Sequence, residues 1–388
     1  MRGVRLMLAF LAILAMPALI QGVLEVRGGE WPFALDVFRR WPTAANLRQY
    51  EDRLKEESRV ANGLRPWAQW ALYVLVRDAG DKGLLGPNGW WFYRPGVSVL
   101  TQRPPPSTGR NEVAEAIQAI LHFRDQLAKR GIRLVVMPAP NKESVYPEQL
   151  VSGWNGPIAR PLSRLTHELM DGLRSNAVEV VDLFQALGAA KAADPQSAPL
   201  YLRQDSHWSP EGIEHAVRAV AKHLREGQAS DAAAARFTEQ AARVARHGDV
   251  VRMLRSPPIE RTLASEAVEC VRILRGQDRE PFQSDPNAEI LVLGDSFLRI
   301  FEQDEPGAAG FISHLAKELN QPIAALVADG GASTLVRQEL HGRPALLEGT
   351  RVVIWEFVER DIRLGTEGWQ QVPLPPIVRA TATVPGSL

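Results

Sequence analysis

Cysteine and net charge are what this sequence has least of. Cys270 is the single cysteine in 388 residues, so no intrachain disulfide can form. That fits a cytosolic protein, and it equally fits an exported protein whose core is large enough to fold without a cross-link. The 45 basic residues balance the 45 acidic ones. No overall electrostatic field would therefore draw the protein to nucleic acid or to an anionic membrane surface.

The N-terminus carries an export signal. Arg2 and Arg5 precede an uncharged apolar run over residues 6–20, and the apolar character continues to Leu24. Two arginines followed by such a run are typical of secretion signals. The run approaches the length that spans a bilayer, and no small-x-small cleavage site follows it. Residues 1–26 are therefore predicted to be an uncleaved anchor, with a cleaved signal peptide as the alternative, and on either interpretation the body lies outside the cytoplasm.

Strands and helices alternate in the rest of the chain. Residues 27–82 have the spacing of a helical connector with a break at 63–66. Apolar, β-branched runs predict strands at 132–140, 178–184, 267–274, 289–297, 323–329 and 351–358. Helices are predicted at 111–129, 158–173, 210–225, 315–319 and 334–340, and mostly over 228–265. We expect an α/β sandwich with a mostly parallel central sheet flanked by helices over residues 83–365, then a flexible Pro-rich tail at 366–388.

A candidate nucleophile follows one of these strands. The stretch EILVLGDSF (289–297) runs into Gly294, Asp295 and Ser296. In parallel α/β sheets, functional groups gather at the carboxyl ends of the strands. Ser296 is thus placed to present its hydroxyl, although a serine becomes a good nucleophile only when a base removes its proton.

The stretch YLRQDSHWSPEG (201–212) contains both partners that such a serine needs. His207 would take the proton of Ser296, Asp205 would hold the other imidazole nitrogen, and Trp208 would shield the pair or contact the substrate. An Asp-x-His pair is also half of a metal site. No His-x-x-x-His pattern accompanies it, however, and only His215 on the next helix offers a further ligand. The prediction is a catalytic triad without metal or bound cofactor.

These blocks together resemble a known family. The chain is similar to the SGNH-hydrolase-like acetyltransferases of bacterial exopolysaccharide export, the alginate O-acetyltransferase group. The similarity rests on the N-terminal anchor and on GPNGWWFY (86–93), VVMPAPNKESVYP (135–147), VEVVDLF (178–184), YLRQDSHWSPEG (201–212), HGDVVRML (247–254), LVLGDSFLRIF (291–301), ADGGAS (328–333) and VVIWEFVER (352–360). In that family, as here, the Asp/His block precedes the serine block. The resemblance implies an SGNH-hydrolase-like sandwich and assigns the catalytic roles to Ser296, His207 and Asp205.

Two further groups are candidates for contact with the reacting ester or the sugar. An oxyanion needs two or three donors. The amide of Ser296 is one, and the backbone at Gly330 and Gly331 is the best candidate for another, although a plain turn explains these glycines equally well. Arg360 follows the last strand, where it would line a sugar-binding rim or simply be solvated.

The resemblance also implies a function and a setting. It implies a periplasmic enzyme, tethered to the inner membrane, that acetylates hydroxyls of a secreted polysaccharide through an acyl-serine. A membrane-bound O-acyltransferase would supply the acetyl group, and other exopolysaccharide export proteins would be partners. Two alternatives stay open. The same triad using water would make the protein a polysaccharide acetylesterase, and a protein that only holds the polymer would be a non-catalytic export scaffold.

Overall fold

The computed structural model describes residues 2–32, 35, 41, 43–101, 111–156, 160–194, 196–226, 237–276 and 278–375. The helices, in chain order, are α1 (Arg2–Arg27), α2 (Ala44–Glu57), α3 (Arg59–Val76), α4 (Arg94–Thr101), α5 (Glu112–Ala128), α6 (Lys142–Val145), α7 (Arg164–Ser175), α8 (Leu183–Ala193), α9 (Pro210–Arg225), α10 (Asp249–Met253), α11 (Pro257–Thr262), α12 (Ser296–Arg299), α13 (Phe311–Leu319), α14 (Leu335–His341) and α15 (Asp361–Leu364). The strands are β1 (Gly83–Leu85), β2 (Trp91–Tyr93), β3 (Arg133–Ala139), β4 (Glu179–Val180), β5 (Phe237–Arg246), β6 (Glu266–Arg275), β7 (Glu280–Pro281), β8 (Ile290–Gly294), β9 (Ala324–Val327) and β10 (Val352–Val358). The chain divides into two compact units, Met1–Gly80 with Arg252–Ala264, and Asp81–Val251 with Ser265–Leu388.

The first unit is helical. Within α1, Val4–Arg27 is long and apolar enough to cross a membrane by length and composition. The predicted break at 63–66 is wrong, because α3 runs through both Gly63 and Pro66. The break falls instead at Ser58, whose extended backbone separates α2 from α3 and whose hydroxyl accepts a hydrogen bond from the amide of Ala61. A serine that caps the second helix competes with continuation of the first.

The second unit is built on a parallel sheet. Among the described residues the sheet has the strand order β4-β3-β10-β8-β9, and every neighbouring pair is parallel. Helices α5, α7 and α14 cover one face and α8, α9 and α13 the other. This is the predicted sandwich. The predicted strand at 178–184 is short, since α8 already begins at Leu183 with Asp182 as its cap.

Side chains of the central strands alternate between two apolar clusters, one on each face of the sheet. In β3, Val135 and Met137 belong to one cluster, whereas Leu134 and Val136 belong to the other. Burial on both faces explains why these strands are continuous apolar runs. All five carboxyl ends meet at one edge, so the segments that follow β3, β8, β9 and β10 are neighbours there.

The prediction of a mostly helical segment at 228–265 is wrong over residues 237–246, whereas α10 and α11 later in the same segment are helical. Residues Phe237–Arg246 form β5, which pairs antiparallel with β6 over ten residues, and β7 completes a small separate sheet. The Ala- and Arg-rich composition favours a helix locally. Pairing with a strand nearly thirty residues later overrides that preference, as tertiary context commonly does for residues of weak propensity.

The predicted flexible tail also begins too early. Trp369, Val372 and Leu374 are buried, and the indole of Trp369 donates to the carbonyl of Asp361. Gln126 on α5 bonds to the backbone of Val372 and of Leu374. Residues 366–375 therefore pack on the domain, and residues 376–388 lie outside the described residues.

Candidate active site

Ser296 lies at the first residue of α12, directly after the central strand β8. The preceding Asp295 is the helix cap and accepts from the amide of Phe297 at 2.9 Å. Gly294 is required for space, because a Cβ there would lie 2.4 Å from Glu356 Oε2 on the neighbouring strand β10. The serine side chain remains partly exposed while Gly294, Asp295 and Phe297 are buried. The turn thus presents one hydroxyl at the carboxyl edge of the sheet.

The structure brings the three predicted triad residues into one hydrogen-bonded line. His207 Nδ1 lies 2.6 Å from Asp205 Oδ1, and His207 Nε2 lies 2.8 Å from Ser296 Oγ, although 89 residues separate the histidine from the serine. Asp205 is fully buried and His207 is 5% exposed. With the proton on Nδ1, the imidazole donates to the carboxylate and its Nε2 accepts from the serine hydroxyl. This is the arrangement in which a histidine serves as a general base.

The pKa shifts of His207 and Asp205 suit a histidine that acts as a general base. Burial disfavours the imidazolium, but the carboxylates of Asp205 and Asp249 outweigh it and raise the pKa of His207 above its ordinary value. Burial likewise opposes ionisation of Asp205, yet the charge of His207 and hydrogen bonds to the carboxylate hold the pKa of Asp205 far below its usual range. Asp205 is therefore ionised at neutral pH, and the imidazolium that forms during proton transfer has a partner in place.

Asp249 is a second acid beside the histidine, and reasoning from the sequence missed it. Its Oδ2 lies 3.4 Å from His207 Nδ1. Its carboxylate accepts from both the amide and the hydroxyl of Ser206, each at 2.6 Å, while its own amide donates to Asp205 Oδ2 at 3.0 Å. Burial and the nearby charge of Asp205 raise the pKa of Asp249. Asp249 is the acid in HGDVVRML, a block that supports the family resemblance, but no role was assigned to it from the sequence.

The same three side chains form the group of possible metal ligands in the described part of the chain. The ligand atoms of Asp205, His207 and Asp249 lie within 4.8 Å of one another. All three side chains already take part in hydrogen bonds: Asp249 accepts from Ser206, Asp205 accepts from the amide of Asp249, and His207 Nδ1 is bonded to Asp205. His215, the further ligand considered from the sequence, instead pairs with Glu211 on its own helix.

Trp208 supports the site from the core side and does not line it. The side chain is fully buried, so the prediction that it contacts the substrate is wrong. Its indole N–H donates to the carbonyl of Phe297 at 3.0 Å, and its ring packs on Phe297 and Phe311. The ring of Phe297 in turn lies 4.8 Å from that of His207. A tryptophan in such a run stays buried because its one polar atom finds a backbone acceptor.

The remaining predicted residues lie at the same edge of the sheet. Gly330 is exposed, with φ of +62°, in the loop after β9. Gly331 is buried and its amide donates to the carbonyl of Ala328 at 2.9 Å, so that amide is committed to a turn and the predicted oxyanion role of Gly331 is wrong. Arg360 follows β10 and is partly exposed, with its guanidinium 5.7 Å from the centre of the Phe297 ring.

Asn141 is a further polar group at this edge that was missed from the sequence. It follows β3, is 1% exposed, and its Oδ1 lies 3.5 Å from the guanidinium of Arg360. Among the described residues its Nδ2 has no hydrogen-bond partner. Buried donors are nearly always paired, so this unpaired amide group has the capacity to donate to a polar ligand group at this edge.

The comparisons with known proteins agree with this geometry. The model of the family described as "SGNH hydrolase-like domain, acetyltransferase AlgX" matches residues 84–359. The chain belongs to this family. The resemblance and the fold class inferred from the sequence are thereby confirmed, and the family is one of acetyltransferases with an SGNH-hydrolase-like fold.

Relatives and solved structures of the same kind support the assignment. The chain is 23% identical over 312 residues to the probable alginate O-acetylase AlgJ of Pseudomonas aeruginosa, covering 77% of this chain and 75% of the relative. It is 25% identical over 328 residues to the AlgJ of Pseudomonas syringae pv. tomato, covering 83% and 78%. The O-acetyltransferase domain of Pseudomonas putida AlgJ superposes with a TM-score of 0.57 at 22% identity, covering 72% of this chain and 91% of that one. Pseudomonas aeruginosa AlgX superposes with a TM-score of 0.50 at 17% identity, covering 71% and 62%. At these identities the structural likeness concerns the fold.

Proposed function

We propose that this protein transfers acetyl groups to hydroxyls of a secreted polysaccharide, with Ser296 as nucleophile, His207 as general base and acid, and Asp205 as the carboxylate that orients the imidazole. The observation that carries the proposal is the line Asp205–His207–Ser296, with 2.6 and 2.8 Å between successive polar atoms. The polysaccharide acceptor is argued from the relatives, which are named alginate O-acetylases.

The first half of the reaction acylates the enzyme. His207 Nε2 takes the proton of Ser296 Oγ as that oxygen attacks the carbonyl carbon of an acetyl ester. The tetrahedral intermediate then collapses with loss of the donor's alkoxide, which receives the proton from His207, and an acetyl ester of Ser296 remains. The negative oxygen of the intermediate needs fixed donors, for which we propose the amide of Ser296 and the backbone at Gly330.

The second half transfers the acetyl group to the acceptor. A sugar hydroxyl gives its proton to His207 and attacks the acyl-serine, and the returning proton restores Ser296 when the ester bond to the enzyme breaks. Arg360, partly exposed beside Phe297, is proposed to contact the acceptor. Its fixed positive charge suits a polymer that carries carboxylates. Every step in this scheme is a proton or acyl transfer and requires no metal or bound cofactor.

The proposed setting is the periplasmic face of the inner membrane. The helix over Val4–Arg27 has the length and composition of a membrane span near the N-terminus, as a signal anchor has. A donor delivered through the membrane would come from a membrane-bound O-acyltransferase, and the polymer would reach the enzyme with other exopolysaccharide export proteins. These partners are inferred from the named relatives and from the anchor.

The test uses the full-length protein, purified in detergent, and its Ser296→Ala variant. Both receive 4-nitrophenyl acetate, with and without a deacetylated uronic-acid polymer, and mass spectrometry follows acetate, acyl-protein and acetylated polymer. The matched control is Ser98→Ala, because Ser98 donates only within its own helix, to the carbonyl of Arg94. We expect acyl-protein and acetylated polymer with wild type and with Ser98→Ala, and neither with Ser296→Ala.

Other outcomes separate the alternatives. Serine-dependent release of acetate, with no acetylated polymer even when acceptor is present, would favour an esterase. An unchanged Ser296→Ala variant, with no acyl-serine in the wild type, would contradict an enzymatic role and favour an export scaffold.

A further inference from the structure

Lys142 is a buried cation that the proposed chemistry does not use. It is the first residue of α6, just after β3, and is 2% exposed. Its Nζ lies within hydrogen-bonding distance of four backbone carbonyl oxygens, those of Trp91 at 2.7 Å, Leu202 at 2.6 Å, Arg203 at 2.8 Å and Asp205 at 2.9 Å. Three of the four belong to the segment that carries the triad acid. The ammonium therefore connects that segment to β2, through Trp91, and to the chain just after β3, where Lys142 lies.

The segment 202–206 obtains most of its backbone hydrogen bonds from charged side chains. Lys142 donates hydrogen bonds to the carbonyls of residues 202, 203 and 205. Glu266 accepts from the amides of Arg203 and Gln204, at 2.8 and 3.2 Å, and Asp249 accepts from the amide of Ser206. Buried backbone groups outside a helix or sheet need such partners. The conformation that aims Asp205 at His207 is thus held from outside the segment.

A simple packing role does not explain a charge at this position. Burying an ammonium is costly, and burial lowers the pKa of Lys142 to about 7 although Asp205, Glu266 and Asp249 favour the charged form. Its Nζ lies 4.9 and 5.1 Å from the ring centres of Trp90 and Phe92. A methionine would fill that space without the cost of desolvation. What it lacks is the three N–H donors of the ammonium, which the four carbonyls share.

We propose that Lys142 is a positioning residue, whose ammonium fixes the main chain at Asp205 so that the carboxylate stays engaged with His207 Nδ1. Lys142 itself touches neither substrate nor Ser296. The inference rests on the proposed function of Ser296, and the two are separable because the reactivity of Ser296 is measured first in the wild type.

The experiment compares Lys142→Met with wild type and with Lys191→Met in the full-length protein. Lys191 is the matched control, since it is a largely buried lysine that bonds to the carbonyl of Val145 and to Glu148 and lies over the Tyr146 ring. The probe is phenylmethylsulfonyl fluoride, and the measured quantity is the rate constant for sulfonylation of Ser296. Misplacing a catalytic group by about 1 Å costs about 100-fold, so we expect a loss of that order in Lys142→Met and less than about twofold in Lys191→Met.

The pH profile distinguishes misplacement from simple loss of charge. Removing a nearby positive charge would, by itself, raise the pKa of His207 and move the acid limb of the sulfonylation rate to higher pH. Disengagement of Asp205 from His207 has the opposite effect, because the imidazolium loses its partner. We expect the acid limb of Lys142→Met to move to lower pH, and that of Lys191→Met to stay in place.

A second variant, Lys142→Ala, allows a chemical-rescue experiment. Lys142→Ala leaves a cavity lined by four carbonyl oxygens, so ammonium or methylammonium should restore at least about tenfold of the lost rate, by replacing the missing donors. Tetramethylammonium, which has no N–H, should not. Wild-type reactivity in Lys142→Met, or equal effects of ammonium and tetramethylammonium on Lys142→Ala, would overturn the inference. If Lys142→Met does not fold, recovery of folded Lys142→Ala in ammonium without recovery of Ser296 reactivity would overturn it as well. A wild type that is itself unreactive at Ser296 would instead contradict the proposed function.

Discussion

The substitution Asp205→Asn tests how the histidine is held. Both carboxylate oxygens of Asp205 face donors: Oδ1 accepts from the ring and the amide of His207, at 2.6 and 3.2 Å, and Oδ2 accepts from the amide of Asp249 at 3.0 Å and lies 3.4 Å from Arg246. An asparagine has one acceptor oxygen, so its NH₂ group must oppose either His207 or Asp249 and Arg246. In the first orientation the imidazole would have to move its proton to Nε2, which could then no longer accept the proton of Ser296.

The size of the effect follows from the charge that is removed. With an effective dielectric constant of about 20, two unit charges at the 2.6 Å separation of His207 and Asp205 attract by about 6 kcal/mol. Asp249, at 3.4 Å, remains and supplies about 5 kcal/mol on the same scale if it is ionised. Loss of Asp205 also removes a charge that raises the pKa of Asp249, so Asp249 ionises more readily. We therefore expect a cost between about 1 kcal/mol, if Asp249 becomes fully ionised, and about 6 kcal/mol, if it stays protonated, which lowers the acylation rate at least about fivefold.

Because Asp249 is expected to replace Asp205 partly as the partner of His207, combining the two substitutions gives a more specific prediction than either one alone. Asp249→Asn alone should cost about tenfold, because Asp205 stays in place, whereas in the Asp205→Asn background the same change should cost at least about 100-fold. The assay is the burst of 4-nitrophenol from 4-nitrophenyl acetate in the four proteins of the cycle. Asp182→Asn is the control, since Asp182 only caps α8 and pairs with Arg174. Equal factors for Asp249→Asn in both backgrounds would refute the argument that Asp249 substitutes for Asp205.

Two further predictions concern the surroundings of the triad. Arg360 opposes the imidazolium, so Arg360→Met should raise the pKa of His207 further and move the acid limb of the acylation rate to higher pH, because only neutral His207 can act as base. Arg363→Met, which removes a guanidinium paired with Glu112, is the control, and an unmoved limb in Arg360→Met would count against the assignment. Trp208→Phe leaves the buried carbonyl of Phe297 without its donor and should lower the free energy of unfolding by about 2 kcal/mol, measured from the urea midpoint. The exposed Trp67→Phe should change that midpoint little, and equal midpoints for the two variants would show that the indole hydrogen bond contributes nothing.

Local sequence is sufficient to predict the strands that are buried on both faces and the residues that cap some of the helices. The runs that became β3, β8, β9 and β10 are continuous apolar segments bounded by Gly, Pro or charge, and such segments have few alternatives in a large α/β protein. Asn111 and Ser209 cap the helices that follow them, and such caps can be read from sequence because capping depends on residues within one turn. The strand β5 was missed because its residues are mostly exposed and its partner β6 is distant, so nothing in its own composition records the pairing.

The candidate site likewise has features that can be predicted from the sequence and features that depend on the fold. The kinds of groups and their order along the chain could be read from the amino acids alone: a serine at the end of a buried strand, and an acid and a histidine two residues apart in a turn. The fold was needed to show that Ser296 meets His207, that Asp249 lies beside the same imidazole, that Trp208 lies in the core and that Lys142 contacts the main chain at Asp205. The physical reason is that these contacts depend on where parallel strands end relative to one another. The register of the sheet sets those positions, and residues near any one of the groups do not encode it.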